Sequence, residues 1–519
     1  MMGEPRTVAA VLRHWAVDRP QHPLLICDDE RLDYGDAERR SAQLAHGLLA
    51  LGAGKGTHIG LLYPNGAAFL VGMLAAARIG AVVVPYSTFA TARELTEQLR
   101  HSDTEILLAA GAFRAHDYAA RLREVLGGEV PTGERLRCLT VPHLRHVFVD
   151  RAPGGTVDPG LLTAVEDDVD GSDPLTIVYT SGSTSAPKGV VHTQAALIEH
   201  QRNLNAIRGL TADDRLFCNS PFCWIGGIAF SVLATLVAGA TLVCSNAENP
   251  SSTLDLLEAT RPTVTNGYVA GIAALAADPS LPRRDLSSMR RGNLYPIMAP
   301  EARPADPDLR HHMLGMTETG SVVLLHPDDG DQPEHRRGSF GVPAPGFDTR
   351  IVHPDTGAPV EPGEVGELCV RGPYVMQRYY KRSREECFDP DGWFHTGDLV
   401  RTDDDGLHYF LGRRGAMIKT AGANVTPVEV ERAIGRVTGA QAYVVGLPDR
   451  DRGQVVAAAV VVDDPADFDP GALRAALREE LSAYKIPRRI TALTRDELPV
   501  MSSGKVDLPR LTEVFGVQR

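Results

Sequence analysis

The chain has 519 residues, of which 43% are hydrophobic and 23% are charged, which is typical of a folded globular protein and not of a disordered or fibrous one. Its formal net charge of -13 argues against nucleic acid or an anionic membrane surface as the main partner. A chain of this length exceeds one hydrophobic core, so we expect two or more domains.

The cysteines and the N-terminal sequence indicate the compartment. Seven cysteines are scattered along the chain without a CxxC pair, which argues against a disulfide framework or a zinc site and favours reduced thiols. The first residues include acidic and basic side chains early and contain no apolar signal core. We therefore expect a cytoplasmic protein.

Strand–helix–strand units are predicted in the first quarter of the chain. Asn65 is a candidate helix cap, and Gly80 is a candidate helix end. Such units imply a parallel sheet covered by helices. The predicted elements are a strand over 58–63, a helix over 67–79, a strand over 81–84, a helix over 92–100 and a strand over 105–109.

The middle of the chain contains two segments that need interpretation. Residues 127–169 are rich in glycine, proline and charge, and we interpret them as an irregular connector before a strand region at 172–191. Residues 218–247 carry no charge and are long enough to span a bilayer. Proline and paired glycines divide this segment, so we predict a buried helix over 228–237 and a strand over 241–244, and no membrane span.

The predicted secondary-structure pattern changes twice in the C-terminal half of the chain. Residues 341–409 have the short, turn-punctuated runs of a β-rich subdomain, with strands over 350–352, 367–370 and 407–411. A compact α+β domain follows. Its predicted elements are a helix over 427–434, strands over 442–445 and 455–462, a helix over 470–481 and a strand over 489–493.

A loop rich in hydroxyl side chains and glycine follows the apolar run at 177–179. It begins at Thr180, continues as SGSTSAP and ends at Lys188. Backbone N–H groups, small hydroxyls and a lysine are groups that bind a polyphosphate. The glycine spacing differs from that of the G-x-x-x-x-G-K-[ST] loop, and the segment alone is also compatible with an ordinary turn.

The chain resembles the acyl-adenylate-forming (AMP-binding) superfamily, which includes acyl-CoA synthetases, firefly-type luciferases and peptide-synthetase adenylation domains. The resemblance runs from about residue 7 to the C-terminus, and the motifs occur in the family's order. They are the loop at 180–188, GMTET at 315–319, WFHTGD at 393–398, the hinge region at 412–431 and the lysine motif at 498–505.

The resemblance implies ATP and Mg²⁺ sites. Thr317 is expected to donate to the α-phosphate, and Glu318 to bind Mg²⁺, which prefers oxygen ligands. Asp398 is expected to accept hydrogen bonds from the ribose hydroxyls, and Arg413 to contact ribose or phosphate. At Ser185 the family commonly has glycine. The residues expected to hold the β- and γ-phosphates are Thr180, Ser181, Gly182, Ser183, Thr184 and Lys188.

The C-terminal motifs imply a lysine that acts in adenylation. Lys505 is expected to bridge the carboxylate and the α-phosphate, whereas Lys419 occupies a position on the second face of the small domain, which helps to build the thiol tunnel. Gly415 stands where the family usually has Lys or Asp at the pivot. The implied fold is α/β, with stacked, mainly parallel sheets and a β-rich subdomain in a large domain at 1–411, a hinge at 412–415 and a small, mobile α+β domain at 416–519.

The adenine and acid pockets are less typical of the family. Leu314 replaces the usual adenine-stacking aromatic residue, and Tyr295 either supplies that ring or belongs to the core. Trp224 stands where many relatives have His and is either a pocket wall or core. Asn266 and Tyr268 fall on the segment that often lines the acid pocket, and Gly315 leaves its floor open. Trp224, together with an open floor at Gly315, favours an aryl or medium-sized acid as the substrate.

The function implied is ATP-dependent activation of a carboxylic acid to an acyl-adenylate with release of pyrophosphate, followed by transfer to the thiol of coenzyme A. Alternatives are transfer to a carrier-protein phosphopantetheine thiol or an amine, and activation of nitrite for arylamine diazotisation. A nucleotide-binding protein without catalytic activity is disfavoured because Lys505, Glu318 and Asp398 are all present. The sequence leaves the oligomeric state open between a monomer and a homodimer.

Overall fold

The computed structural model describes residues 4–131, 135–180, 188–414, 418–420, 423–425, 427–449, 452–481, 485–501 and 505–516. The chain forms two compact units: Met1–Asp348 with Arg371–Gly392, and Thr349–Val370 with Trp393–Arg519. The strands predicted for a β-rich subdomain therefore group with the C-terminal part of the chain. The hinge predicted at 412–415 stays a prediction, because Gly415 lies outside the described residues.

Helices and strands alternate through the first unit and mix in the second. The described α-helices are α1 (Val8–Asp18), α2 (Tyr34–Ala50), α3 (Ala67–Arg78), α4 (Ala92–His101), α5 (Tyr118–Leu126), α6 (Pro159–Asp168), α7 (Gln194–Arg208), α8 (Ile225–Gly227), α9 (Ala234–Ala238), α10 (Pro250–Thr260), α11 (Ala273–Ala276), α12 (Pro427–Thr438), α13 (Pro470–Glu480) and α14 (Leu508–Glu513). The described strands are β1 (Pro23–Cys27), β2 (Glu30–Asp33), β3 (His58–Leu62), β4 (Val82–Pro85), β5 (Ile106–Ala109), β6 (Ala112–Phe113), β7 (His116–Asp117), β8 (His146–Val149), β9 (Pro174–Thr180), β10 (Lys188–Thr193), β11 (Arg215–Cys218), β12 (Thr241–Cys244), β13 (Val264–Asn266), β14 (Arg291–Gly292), β15 (Leu314–Met316), β16 (Ser321–Leu325), β17 (Val342–Pro343), β18 (Asp348–Val352), β19 (Gly366–Arg371), β20 (Arg378–Tyr379), β21 (Phe394–Thr402), β22 (His408–Arg413), β23 (Ile418–Thr420), β24 (Ala423–Val425), β25 (Ala442–Asp449), β26 (Gly453–Val461) and β27 (Arg489–Leu493).

A seven-stranded sheet with the order β20-β10-β9-β4-β3-β5-β8 forms the first half of unit 1. The strands β9, β4, β3, β5 and β8 run parallel to one another, β10 pairs antiparallel with β9, and β20 pairs antiparallel with β10. Both faces are buried: Ile59 and Leu61 belong to one core, and Leu62 belongs to another. Burial on both faces explains why these strands are continuous apolar runs rather than alternating ones.

A six-stranded sheet with the order β14-β13-β11-β12-β1-β2 forms the second half of unit 1. Its strands are parallel except for the β1–β2 hairpin. Leu25 and Leu242 of this sheet share one core with Ile59 and Leu175 of the seven-stranded sheet and with helices α1, α2, α3 and α7. The prediction of an α/β fold with stacked, mainly parallel sheets is confirmed.

The cap predicted for α3 is wrong, although the helix itself is confirmed. The N-cap residue is Gly66, and Glu30 Oε2 accepts the hydrogen bond of Ala67 N at 2.9 Å. The side chain of Asn65 instead donates to Ser220 O at 3.0 Å and accepts from Phe222 N at 2.8 Å. A distant carboxylate therefore takes the capping role, and the asparagine joins two segments of unit 1.

The segment predicted as an irregular connector, 127–169, contains strand β8 and helix α6. Asp158 caps α6 by accepting from Gly160 N at 2.7 Å, with Pro159 in the first turn. The carboxylate of Glu166 pairs with buried Arg78 and with Arg13. The prediction missed the local Asp158-Pro159 helix start, and it could not foresee the distant partners of Glu166.

The predicted buried helix at 228–237 is longer and not uniformly α-helical. It runs from α8 through a π-helical segment, Ile228–Leu233, to α9, and Gly239 ends it with a φ of 73°. The strand that follows has the predicted bounds, Thr241–Cys244. Among the described residues, no helix is long and apolar enough to cross a membrane.

The second unit contains a four-stranded sheet, β18-β19-β21-β22, and a five-stranded sheet in which β26 pairs with β23, β25 and β27. Helices α12 and α13 pack on the five-stranded sheet through a core that includes Val430, Ile434 and Leu477. The predicted helices and strands of the small α+β domain are confirmed, and β27 has the predicted bounds, Arg489–Leu493.

Candidate active site

The hydroxyl-rich loop connects two antiparallel strands of the seven-stranded sheet. Strand β9 ends at Thr180 and β10 begins at Lys188, and these two residues are opposite each other in the pairing. The loop residues Ser181, Gly182, Ser183 and Thr184, together with Ser185, lie outside the described residues. Their role in binding phosphate therefore stays a prediction, while the strands that would hold the loop ends are in place.

Tyr379 brings the end of this loop and the GMTET motif together. The hydroxyl of Tyr379 donates to Glu318 Oε1 at 2.7 Å. Lys188 Nζ lies 5.0 Å from the centroid of the Tyr379 ring, within cation–π range. Strand β20, which contains Tyr379, pairs with β10, which contains Lys188. One ring thus contacts a cation and a carboxylate that lie far apart in the sequence.

Two hydrogen bonds from distant residues fix the backbone of the GMTET motif. Residues Thr317–Thr319 form one 3-10 turn, which Gly320 ends with a φ of 66°. His192 Nε2 donates to Thr317 O at 2.7 Å, and Met376 N donates to Glu318 O at 2.7 Å. These bonds leave the side chains of Thr317 and Glu318 for other partners.

The pKa of His192 is lowered to about 4, chiefly because the ring is fully buried, although its bond to Thr317 partly opposes the shift. The ring is neutral in the folded protein, while the unfolded chain binds a proton below the ordinary pKa of about 6.5. We expect the free energy of unfolding to fall by roughly 3 kcal/mol through this residue as the pH drops from about 6.5 to about 4.

The measurement is chemical denaturation across this pH range for the wild type and for His192→Gln, which does not titrate there. The variant is expected to lose less stability per pH unit than the wild type, by about 1.4 kcal/mol. Equal slopes in the two proteins would contradict the assignment, whatever their absolute stabilities.

Three predicted acid-pocket residues lie near the carboxyl ends of the parallel strands in the six-stranded sheet, where ligands bind in open α/β sheets. Asn266 ends β13, and Tyr268 follows it. The rings of Trp224 and Tyr268 meet edge to face with centroids 6.3 Å apart. Tyr268 is 40% exposed and Trp224 is partly exposed, so neither ring is simply core.

Two asparagines that the sequence analysis did not identify hold this pocket segment. Asn219 accepts from Tyr268 N and donates to Tyr268 O, both at 2.8 Å. Asn293 accepts from Gly267 N at 3.0 Å and donates to Gly267 O at 2.8 Å. A Cβ on Gly267 would lie 1.9 Å from Asn219 Oδ1, so this residue must be glycine.

The π-helical segment is held from two sides. Asn205 Nδ2 donates to Ala234 O at 2.8 Å, and Arg208 Nη2 donates to Phe230 O at 3.3 Å. On the pocket side, Asn266 Nδ2 donates to Ser231 Oγ at 3.3 Å. Short π-helical segments are frequent at functional sites, and this one joins Trp224 to the pocket strands.

The structure gives a packing reason for Gly315. A Cβ at this position would lie 2.7 Å from Ser321 O and 3.0 Å from Val322 Cα, both backbone atoms of the paired strand β16. The interpretation of Gly315 as an open pocket floor stays a prediction. A large residue here would displace β16, and this makes substitution at 315 an ambiguous test of pocket depth.

We expect Gly315→Ala to lower the free energy of unfolding by about 1–3 kcal/mol, because backbone atoms must move to make room. Gly54→Ala is the matched control, since a Cβ at Gly54 meets no atom within 4 Å; its effect should stay within about 0.5 kcal/mol. Chemical denaturation measures both. Equal stabilities of the two variants would contradict the packing argument.

The two candidates for adenine contact differ in their surroundings. Leu314 lies in β15, paired with Leu324 of β16, and is partly exposed. Tyr295 is partly buried and packs against a core that includes Phe217 and Met298, and burial raises the pKa of its hydroxyl. These contacts favour the core interpretation of Tyr295 over an adenine-stacking ring.

The predicted ribose ligand, Asp398, is buried in the second unit and forms an ion pair. Asp398 lies in β21, is 1% exposed and pairs with Arg413 of β22, with Asp398 Oδ1 2.6 Å from Arg413 Nε. The strand pairing is irregular on both sides of Asp398, and Gly397 has a φ of 72°. Such bulges re-aim side chains next to active sites.

Glu367 supports this bulge and was not identified from the sequence. Its side chain is buried; Oε1 accepts from Gly397 N at 3.0 Å, and Oε2 lies 3.5 Å from Arg414 Nη1. Neither Glu367 nor Tyr379 has a sequence signal as strong as the motifs around them, because each acts through a partner distant in sequence.

Lys505 is exposed and lies next to an antiparallel bridge in the second unit. Val500 and Val506 form an antiparallel bridge, and Met501 N donates to Lys505 O at 2.7 Å. Lys419 is the central residue of β23, paired with Asn424, and only its backbone is described. The structure describes no contact that tests the catalytic role of either lysine.

Comparison with known proteins agrees with this arrangement. The model of the AMP-binding enzyme family matches residues 12–380, and the model of its C-terminal domain matches residues 429–505. The chain is 32% identical to a feruloyl-CoA synthase of Amycolatopsis over 93% of this chain and 94% of that protein. It is 31% identical to an indoleacetate–CoA ligase of Aromatoleum aromaticum, over 92% and 91% respectively.

Solved structures show the same fold. The anthranilate CoA ligase AuaEII in complex with anthranoyl-AMP superposes with a TM-score of 0.82 at 23% identity, over 98% of this chain and 97% of that chain. ATP-bound MatB of Rhodopseudomonas palustris superposes with a TM-score of 0.78 at 25% identity, over 98% and 99%. The ordered motifs, the fold and these matches together show that the chain belongs to the AMP-binding, acyl-adenylate-forming enzyme family.

Proposed function

We propose that this enzyme is an AMP-forming acid–CoA ligase. A carboxylate oxygen attacks the α-phosphorus of ATP, pyrophosphate leaves, and the thiol of coenzyme A then displaces AMP to give a thioester. The observation that carries the proposal is the cluster in which Lys188 and Glu318 both contact Tyr379. A cation for phosphate and a carboxylate for a metal are what binding of ATP with Mg²⁺ requires.

The donor set fits Mg²⁺ that arrives with a nucleotide. No group of three or more metal-ligating side chains occurs among the described residues. Mg²⁺ typically uses one or two carboxylates together with substrate phosphates and waters, and Glu318 supplies one carboxylate whose Oε1 is already oriented by Tyr379. When bound, the ion would neutralise charge that develops on the phosphates.

Each remaining residue has a proposed role in adenylation. Thr317 donates to the α-phosphate from a backbone fixed by His192. Asp398, paired with Arg413, accepts hydrogen bonds from the ribose hydroxyls. Lys505 stabilises the negative charge on the attacking carboxylate and the α-phosphate, an interaction that is strongest in the transition state.

We propose that the second half-reaction uses a different face of a small domain at 416–519, which turns about a hinge at 412–415. Lys505 serves adenylation, and the strand that contains Lys419 serves thioester formation. A glycine at 415 permits the backbone rotation that such a hinge requires. The large domain at 1–411 retains the acid and nucleotide through both steps.

We propose an aryl or medium-sized acid as the substrate. Trp224 and Tyr268 offer two partly exposed rings at an angle of 78°, and this pair is suited to the flat face and edge of an aromatic substrate. The named activities of the relatives, a feruloyl-CoA synthase and an indoleacetate–CoA ligase, concern aromatic acids. Asn266 ends the strand that precedes Tyr268.

Acid-dependent ATP–pyrophosphate exchange tests the function. The panel contains aryl, short, medium and long carboxylic acids and nitrite, and each active acid is then offered coenzyme A or a phosphopantetheinylated carrier protein. Exchange with an aryl acid followed by an acyl-CoA product is the expected result. Exchange with nitrite alone would replace the proposal with nitrite activation, and a carrier-only product would replace the acceptor.

A further inference from the structure

Tyr379 occupies a position in unit 1 that the sequence motifs do not assign. It ends β20 and is 7% exposed. Its hydroxyl reaches Glu318 Oε1 at 2.7 Å, while Lys188 Nζ lies 5.0 Å from its ring centroid. The hydroxyl and the ring thus contact two different groups that are proposed to bind the metal and the phosphates.

The contact with Glu318 has a fixed direction. A phenol hydroxyl donates a hydrogen bond and a carboxylate oxygen accepts one, so Tyr379 is the donor and Glu318 is the acceptor. A carboxylate held through one oxygen presents its other oxygen in a defined direction, as partners of metal ligands commonly ensure.

The contact with Lys188 depends on the ring and not on the hydroxyl. A lysine ammonium over a tyrosine ring is attracted by the negative face of the π-system. Because β20 pairs with β10, the backbone also places Tyr379 beside the strand that begins at Lys188. The two contacts can therefore be separated by substitution.

We propose that Tyr379 is a positioning residue for the metal–nucleotide complex: its hydroxyl orients Glu318 toward the metal, and its ring orients Lys188 toward the phosphates. This inference rests on the proposed function, because it assumes that Glu318 and Lys188 bind a metal and ATP. Tyr379 itself touches neither ligand in this assignment.

Two variants separate the two contacts. Tyr379→Phe removes the hydroxyl and keeps the ring, whereas Tyr379→Leu removes both. The measured quantity is binding affinity. Mn²⁺ is titrated in the presence of the non-cleavable analogue α,β-methylene-ATP, and electron paramagnetic resonance measures the free Mn²⁺. The affinity for the analogue alone is measured by calorimetry in EDTA.

Tyr379→Phe is expected to weaken Mn²⁺ binding in the ternary complex about tenfold and to leave the affinity for the metal-free analogue within about twofold, because the ring remains under Lys188. Tyr379→Leu is expected to weaken both, with a loss of about two- to fivefold for the metal-free analogue. Equal losses of both affinities in Tyr379→Phe, or no change in either, would overturn the proposal.

Tyr380→Phe is the matched control. Its hydroxyl donates to a different carboxylate, Asp103 Oδ2, at 2.9 Å, so the same atom is lost one residue away. Both affinities should equal those of the wild type, and a Mn²⁺ defect like that of Tyr379→Phe would overturn the proposal. If the wild type forms no Mn²⁺–analogue complex, the proposed function fails. If the wild type forms the complex and Tyr379→Phe binds Mn²⁺ equally well, only the positioning role fails.

Discussion

Lys505→Ala is expected to reduce acid-dependent ATP–pyrophosphate exchange by at least about 10²- to 10³-fold, while the dissociation constant of ATP changes by less than about threefold. The lysine is assigned to charge that develops in the transition state, so its loss should affect the rate and not ground-state binding. The backbone carbonyl of Lys505 accepts from Met501 N, and alanine preserves this bond.

A second reaction separates a catalytic defect from a folding defect. When the acyl-adenylate is supplied ready-made, the Lys505→Ala variant should still form the thioester with coenzyme A at a rate near that of the wild type, because adenylation is bypassed. Lys485→Ala is the control: Lys485 belongs to the same unit and pairs with Glu429 at 2.5 Å, and exchange should persist. Full exchange activity in Lys505→Ala would exclude the catalytic assignment.

The sheets were predictable because their strands are buried on both faces. The buried run at 241–244 is one such strand, and it follows a helix that ends at Gly239, which has a positive φ, as Gly80 does after α3. The βαβ units in the first quarter of the chain follow from the same pattern. Local sequence therefore predicted the existence and the type of these elements.

Features that depend on distant partners were not predictable in the same way. Glu166 of helix α6 pairs with Arg78 and Arg13, and the α3 cap depends on Glu30. The π-helical segment depends on Asn205 and Arg208 of α7. In each case the local pattern is compatible with a simpler element, and the deciding hydrogen bond comes from a residue at least 20 positions away.

The candidate site also contains residues that the motifs identify and residues that only the structure reveals. The motifs identified Glu318 and Lys188 from the sequence, but not Tyr379, which contacts both. They identified Asp398 and Arg413, which pair as neighbours across two strands, but not Glu367 beneath the bulge. Trp224 and Tyr268 were proposed separately, and their edge-to-face contact makes them one wall.

Asp398→Asn is expected to weaken ATP binding roughly 30- to 150-fold, because two hydrogen bonds from the ribose to a charged acceptor are replaced by weaker ones to a neutral amide. Asp398 is almost fully buried beside Arg413, so the remaining arginine lacks its carboxylate partner and gives no compensation. Calorimetry with ATP, 2′-deoxy-ATP and 3′-deoxy-ATP measures the effect.

The affinities for ATP and for the two deoxynucleotides are compared within each protein, so each variant has an internal reference. The wild type should bind both deoxynucleotides about tenfold more weakly than ATP, whereas Asp398→Asn should discriminate little among the three. Asp403→Asn, at a carboxylate in the turn between β21 and β22 that accepts from the Tyr409 hydroxyl at 2.8 Å, should discriminate like the wild type. A general loss of stability weakens the binding of all three nucleotides equally. If Asp398→Asn discriminates among the three nucleotides as the wild type does, the ribose contact belongs to another residue.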